Sequence, residues 1–134
     1  VSFWLYLDTG TTNIYQLLTD NTMNLFLQVG APDLYFVEAT GSNIIEATDT
    51  VLDPRTWYHV VFTVEDGGTS IVYVNAVADS DTGSGVSYGS ELLIGKVDDA
   101  SADFVGSIDD VMIWNRVLSP AEIRDLYSIG QKYG

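Results

Sequence analysis

With 134 residues, 46% of them hydrophobic and 18% charged, the chain is long enough to bury one core, too short for two, and too apolar for wholesale disorder. Nineteen acids against five bases give a net charge of -14, and the bases Arg55, Lys96, Arg116, Arg124 and Lys132 are scattered, which excludes a phosphate-binding surface and nucleic acid as a partner. No apolar run reaches the roughly 18 to 20 residues that span a bilayer, so no membrane insertion is expected within this chain; cysteine is absent, which excludes disulfides and leaves the compartment open.

The chain opens inside a strand pattern. Phe3, Leu5 and Leu7 alternate with Trp4 and Tyr6, and Val1 to Asp8 carry neither a basic flank nor a small-residue cleavage pattern, so the sequence reads as a piece of a longer protein. Leu25, Leu27 and Val29 then alternate with Asn24 and Gln28, and short runs at Leu34 to Glu38 and Asn43 to Ala47 follow, punctuated by Gly30-Ala31-Pro32-Asp33 and Thr40-Gly41-Ser42. The spacing is that of an antiparallel meander.

The clearest unit is Trp57 to Glu65, in which Tyr58, Val60, Phe62 and Val64 share a face. It meets Asp66-Gly67-Gly68, residues that tolerate positive φ and close a hairpin into Ser70 to Val74. Asn75-Ala76 is a second turn, expected to be looser than type I′ because Ala is less comfortable there than Gly. Asp79 to Gly89 reads as a surface loop, Glu91 to Gly95 as a strand, Lys96 to Asp103 as a second polar loop, and Phe104 to Trp114 as the last strand. A helix starts at Ser119-Pro120-Ala121-Glu122, where Ser119 caps, Pro120 suits the first helical position and Glu122 completes a capping box. Ile123, Leu126 and Tyr127 share its inner face, and Gly130 is expected to stop it.

Four of these pieces stand in an order that resembles a known family. Trp57 to Thr63, then Ile71 to Asn75, then Leu92-Leu93-Ile94-Gly95, then Phe104 to Ile123 are together similar to the LamG-like branch of the concanavalin A-like jelly rolls. The resemblance implies an all-β fold, an antiparallel two-sheet β-sandwich (jelly roll) with one short C-terminal helix, as one domain over residues 1–134. It also implies an earlier strand with an Asp-Gly element, which this sequence lacks. A missing strand would leave an open sheet edge, to be covered by upstream sequence, by a neighbouring subunit in self-assembly, or by a changed topology.

Related jelly rolls include glycoside hydrolases, whose chemistry needs an acid and a base or nucleophile facing one sugar. Glu46, Asp49 and Asp53 do not match that acidic strand and read as solvated acids. The lone His59 lies on the face opposite Tyr58 and Val60 and reads as a packed or hydrogen-bonded residue, so no catalytic residue is assigned and the chain is not expected to be an enzyme.

The acidic excess fits plain solubility, high-salt adaptation or divalent-cation binding, with solubility the leading reading. Calcium is the candidate cofactor. Hard oxygen ligands from Asp98, Asp99, Asp103 and Asp109 cluster around the last loop and strand, and Asp109 resembles the acidic position of the family's Ile-Asp motif. Trp4, Tyr6, Tyr35, Tyr88 and Trp114 are candidate sugar-stacking aromatics. Core burial is favoured for Trp4 and Trp114, and Tyr88, in its Gly and Ser loop, is the best exposed candidate; Tyr88 and Trp4 are carried as the ligand-binding residues. The resulting expectation is a noncatalytic recognition or adhesion module, extracellular or at the cell surface, whose partner is a glycan or a surface protein. The alternative is a structural globular domain of an extracellular filament, pilus or sheath subunit.

Overall fold

The computed structural model describes residues 1–8, 14–19, 23–28, 33–38, 44–47, 52–65, 69–78, 83–84, 93–94 and 106–133; those between 14 and 47, and 83, 84, 93, 132 and 133, are described by their backbone alone. The strands are β1 (Ser2–Leu7), β2 (Ile14–Thr19), β3 (Met23–Gln28), β4 (Asp33–Glu38), β5 (Ile44–Ala47), β6 (Trp57–Thr63), β7 (Thr69–Val74), β8 (Val77–Ala78), β9 (Gly83–Ser84), β10 (Leu93–Ile94) and β11 (Gly106–Met112), followed by the helix α1 (Pro120–Tyr133). They form two antiparallel sheets. The first has the order β11-β1-β6-β7-β8 with β9 also on β7, and the second has the order β10-β2-β3-β4-β5.

In the first sheet β1 has a partner on each side, β11 and β6, so both of its rows of backbone groups are used. Alternation puts Phe3, Leu5 and Leu7 on the same face as Tyr58, Val60, Phe62, Val72 and Val74, and these form one buried cluster with Leu52. The opposite face carries a second cluster, in which Val61 and Tyr73 meet Leu118 and Ile123, the latter from α1. Burial on both faces explains why β6 reads as an almost continuous apolar run from Tyr58 to Phe62. The edge strand β5 of the second sheet comes alongside β7 of the first.

Several local expectations are corrected. Asn75 and Ala76 close a two-residue turn between Val74 and Val77 with φ of 50° and 64°, so this is the tight form with both residues left-handed. Asn75 gains from it: its Oδ1 accepts from the His59 backbone N–H at 3.0 Å, while its own N–H donates to the His59 carbonyl at 2.8 Å. The stretch read as a loop from Asp79 to Gly89 contains β9, which pairs with Thr69 and Ser70. β2 has no counterpart in the sequence reading. A register shift between Gln16 and Leu18 inserts an irregularity there, and a bulge breaks the period-2 pattern that would have announced the strand.

The helix begins as the sequence predicts and ends later. The Ser119 N–H and hydroxyl both donate to Glu122 Oε2 at 2.9 Å, and the Glu122 N–H donates to Ser119 Oγ at 3.3 Å, which completes the capping box. Gly130 does not stop α1, which runs on to Tyr133. A Cβ on Gly130 would collide with the Trp4 indole, so the residue is there for close packing of helix on sheet.

Candidate functional site

The face of the first sheet that receives α1 carries its aromatic and polar residues in rows fixed by strand register. Directly opposed residues share a face, so Asp109, Trp4 and His59 form one row across β11, β1 and β6, and Ser107, Tyr6 and Trp57 form the next. The helix covers Trp4 and His59 of the first row. The Trp4 ring centroid lies 5.2 Å from that of His59 and 5.9 Å from that of Tyr127 of α1, the latter at 21° between planes. Trp4, carried from the sequence as a ligand platform, is therefore half-buried beneath α1, between the helix and the sheet.

His59 is sealed in that row, 1% exposed, with Nε2 at 3.3 Å from Ser2 Oγ; among the described residues no group meets its Nδ1. Loss of water around the ring lowers its pKa from 6.5 to about 4, so the imidazole is neutral at physiological pH. A neutral, covered histidine with one bond to a serine hydroxyl is a packing residue, in line with the reading of its strand position.

The second row is more open. Tyr6 and Trp57 sit opposite each other with ring centroids 5.2 Å apart and planes tilted by 43°, Tyr6 half-buried and Trp57 42% exposed. The pair makes a bent apolar surface at the edge of the helix-covered zone. Trp57 was not among the sequence candidates. Its signal was its place two residues before His59, on the face away from Tyr58, but nothing local shows that this end of β6 lies open.

Asp109 stands beside Trp4 on the same face, exposed, in β11. The register with β1 slips between Ser2 and Trp4, where Asp110 takes a left-handed φ of 48°, and Asp109 Oδ1 accepts from the Asp110 N–H at 2.8 Å. One of its oxygens is thus engaged in the bulge. A calcium ion takes 6 to 8 oxygens, and among the described residues no cluster of three or more His, Asp or Glu could hold a metal. Asp98, Asp99, Asp103 and Tyr88 lie outside the described residues, as does Asp49. Of the other acids weighed for catalysis, Glu46 stands opposite Tyr35 in the β4–β5 ladder, and Asp53 is exposed in the turn before β6, its N–H donating to the Tyr58 hydroxyl at 2.9 Å.

At the other end of β6 a groove of about 430 Å³ runs between the Phe62–Glu65 stretch and the connection from β11 to α1, with Trp114 and Val117 on one wall and Val64 on the other. Arg116 on its rim is committed to Glu122, at 2.6 and 3.0 Å to the two carboxylate oxygens.

The model of the Laminin_G_3 family, described as concanavalin A-like lectin/glucanases superfamily, matches residues 1–124. This chain belongs to that superfamily. Among curated relatives, the rat sushi, von Willebrand factor type A, EGF and pentraxin domain-containing protein 1 is 33% identical over 86 residues, which covers 54% of this chain and 2% of that protein. Among solved structures, domain 4 of AbnA, an extracellular GH43 arabinanase of Geobacillus stearothermophilus captured with arabinotriose, is 25% identical at a TM-score of 0.69, covering 94% of this chain and 64% of that one. A Trypanosoma rangeli sialidase mutant with trans-sialidase activity shares the fold at a TM-score of 0.77 and 21% identity, covering 99% of this chain and 23% of the enzyme. The concanavalin A-like chain thus spans only part of each of these proteins. Among the described residues, no helix is long and apolar enough to cross a membrane.

Proposed function

We propose that this domain is a noncatalytic carbohydrate-recognition module of an extracellular or cell-surface protein, and that its two sheets are the layers of one jelly-roll sandwich. The pair of exposed Trp57 and half-buried Tyr6 carries the reading, because flat aromatic faces are suited to the CH-lined faces of sugar rings. The likeness to a domain captured with arabinotriose supports it. So does the superfamily, whose description joins lectins with glucanases. Burial of the Phe3, Leu5, Val60 and Phe62 face, which is not the face that receives α1, supports the sandwich.

A glycan array probed with the domain and with Trp57→Ala, in calcium and again in chelator, tests the proposal. The expected result is a set of bound glycans whose signal falls at least about tenfold in Trp57→Ala, with circular dichroism unchanged. A signal lost in chelator would bring in calcium through Asp98, Asp99, Asp103 and Asp109. A blank array in both buffers would overturn carbohydrate recognition and favour the filament or sheath alternative.

A further inference from the structure

Resting on that reading, we propose that the ligand of the Tyr6–Trp57 surface is an uncharged glycan, seated by one sugar ring in the angle of the two aromatic planes, and that sulfated, sialylated or uronate-rich glycans are not recognised there. Three observations carry this. The ring centroids are 5.2 Å apart and the planes tilted by 43°, so the pair is not a flat track of two coplanar rings that would stack two successive sugars. Trp57 is the more exposed ring of the two, and Tyr6 is half-buried.

The charges around the face select against anions. The described strand ends and turns bordering it expose Asp8 after β1, Asp53 before β6, and Asp109 and Asp110 in β11, against Arg55 before β6. Four carboxylates against one guanidinium group leave the described surroundings of the pair negative, inside a molecule whose net charge is -14. Carboxylate and sulfate groups are normally held by clustered or bidentate arginines. Among the described residues, the arginine in bidentate contact with a carboxylate is Arg116, which is paired with Glu122. An approaching anionic chain therefore meets repulsion at long range and, at short range, the single guanidinium of Arg55, whose backbone N–H donates to the Leu7 carbonyl at 2.7 Å beside Tyr6.

The polar neighbours suit hydroxyls. Ser107 lies across from Tyr6 in the same row, and Asp109 extends the adjacent row on the same face, both exposed. A carboxylate and a serine hydroxyl together accept from and donate to sugar OH groups without requiring ligand charge.

The test is a titration of the intact domain, followed by tryptophan fluorescence and by calorimetry, with matched oligosaccharides: arabinotriose, xylotriose and cellotriose as neutral probes, galacturonate trimer and a heparin-derived tetrasaccharide as anionic ones. Each is run at about 20 mM and about 500 mM salt, where screening differs strongly. The expected result is that at least one neutral probe binds with an affinity changing less than about twofold between the salts. That affinity falls at least about tenfold in Trp57→Ala and is largely kept in Trp57→Phe. Tighter binding of an anionic probe, weakened by salt and lost in Trp57→Ala, would overturn the uncharged-ligand inference and leave carbohydrate recognition standing. Neutral binding that survives Trp57→Ala would overturn the placement on this face. Failure of every probe would count against the carbohydrate reading itself.

Discussion

His59 and Gly130 set the terms on which α1 lies against the sheet. With its pKa held near 4 against 6.5 in an open chain, His59 refuses a proton that the unfolded state accepts. Its contribution to stability is therefore complete above pH 6.5 and is lost as pH falls from there toward 4, by an amount on the order of 3 kcal/mol at most. Urea titrations at intervals between pH 7 and 5, above the range where most carboxylates titrate, should show stability falling with pH in the native domain and a shallower slope in His59→Asn. An unchanged slope would mean that the ring is wetter than its 1% exposure implies. Gly130→Ala would be expected to stabilise an ordinary helix by roughly 1 kcal/mol through propensity. Here the added methyl has no room, because the indole it meets is packed against His59 and Tyr127. Overpacking of this kind costs about 1 to 3 kcal/mol, so a net fall in Tm is expected. In a Trp4→Leu background, with the indole gone, the same substitution should turn neutral or stabilising, and a double-mutant cycle measures the difference.

At the scale of elements, α1 is held at its start by polar bonds and along its length by apolar ones. Ser119 and Glu122 cap each other, and Arg116 grips the same carboxylate from the preceding segment. These hydrogen bonds, that from Arg116 foremost, lower the Glu122 pKa from 4.5 to about 2, so their support is present above pH 4.5 and fades as pH falls toward 2. Ser119→Ala should cost about 1 kcal/mol, whereas Ile123→Ala, at a fully buried position against Val61 and Tyr73, should cost about 3 kcal/mol. Equal losses in denaturant melts would mean that the cap, and not the buried isoleucine, docks the helix. The capping box was legible from four residues because its physics is local. So was the β6–β7 hairpin, whose apolar alternation on one face persists through Phe62↔Val72 and Val60↔Val74. β2 was not legible, because its bulge shifts the alternation within six residues. The turn at Asn75-Ala76 was misjudged because residue preference alone omits the two hydrogen bonds, one to the Asn75 side chain and one from its backbone N–H, that tie Asn75 to His59.

For the whole molecule, the charge of -14 works against compaction, so raising salt from about 50 to about 500 mM should raise Tm in calorimetry through screening. A Tm indifferent to salt would mean that the carboxylates are already neutralised by bound cations. The candidate site was only partly legible for a reason that also belongs to this scale. Alternation placed Trp57 with His59 and Val61, and Trp4 with Tyr6, but both faces of β6 are apolar, and the sequence does not say how far along them a cover extends. That distance depends on where α1 lies, and the glycine read as its end lets it continue over Trp4. The helix is therefore a cover laid over part of a row of rings. Its reach decides which aromatics are core and which are surface, so relatives of this domain that lose or gain one helical turn would change the size of their exposed aromatic face without altering a single strand residue.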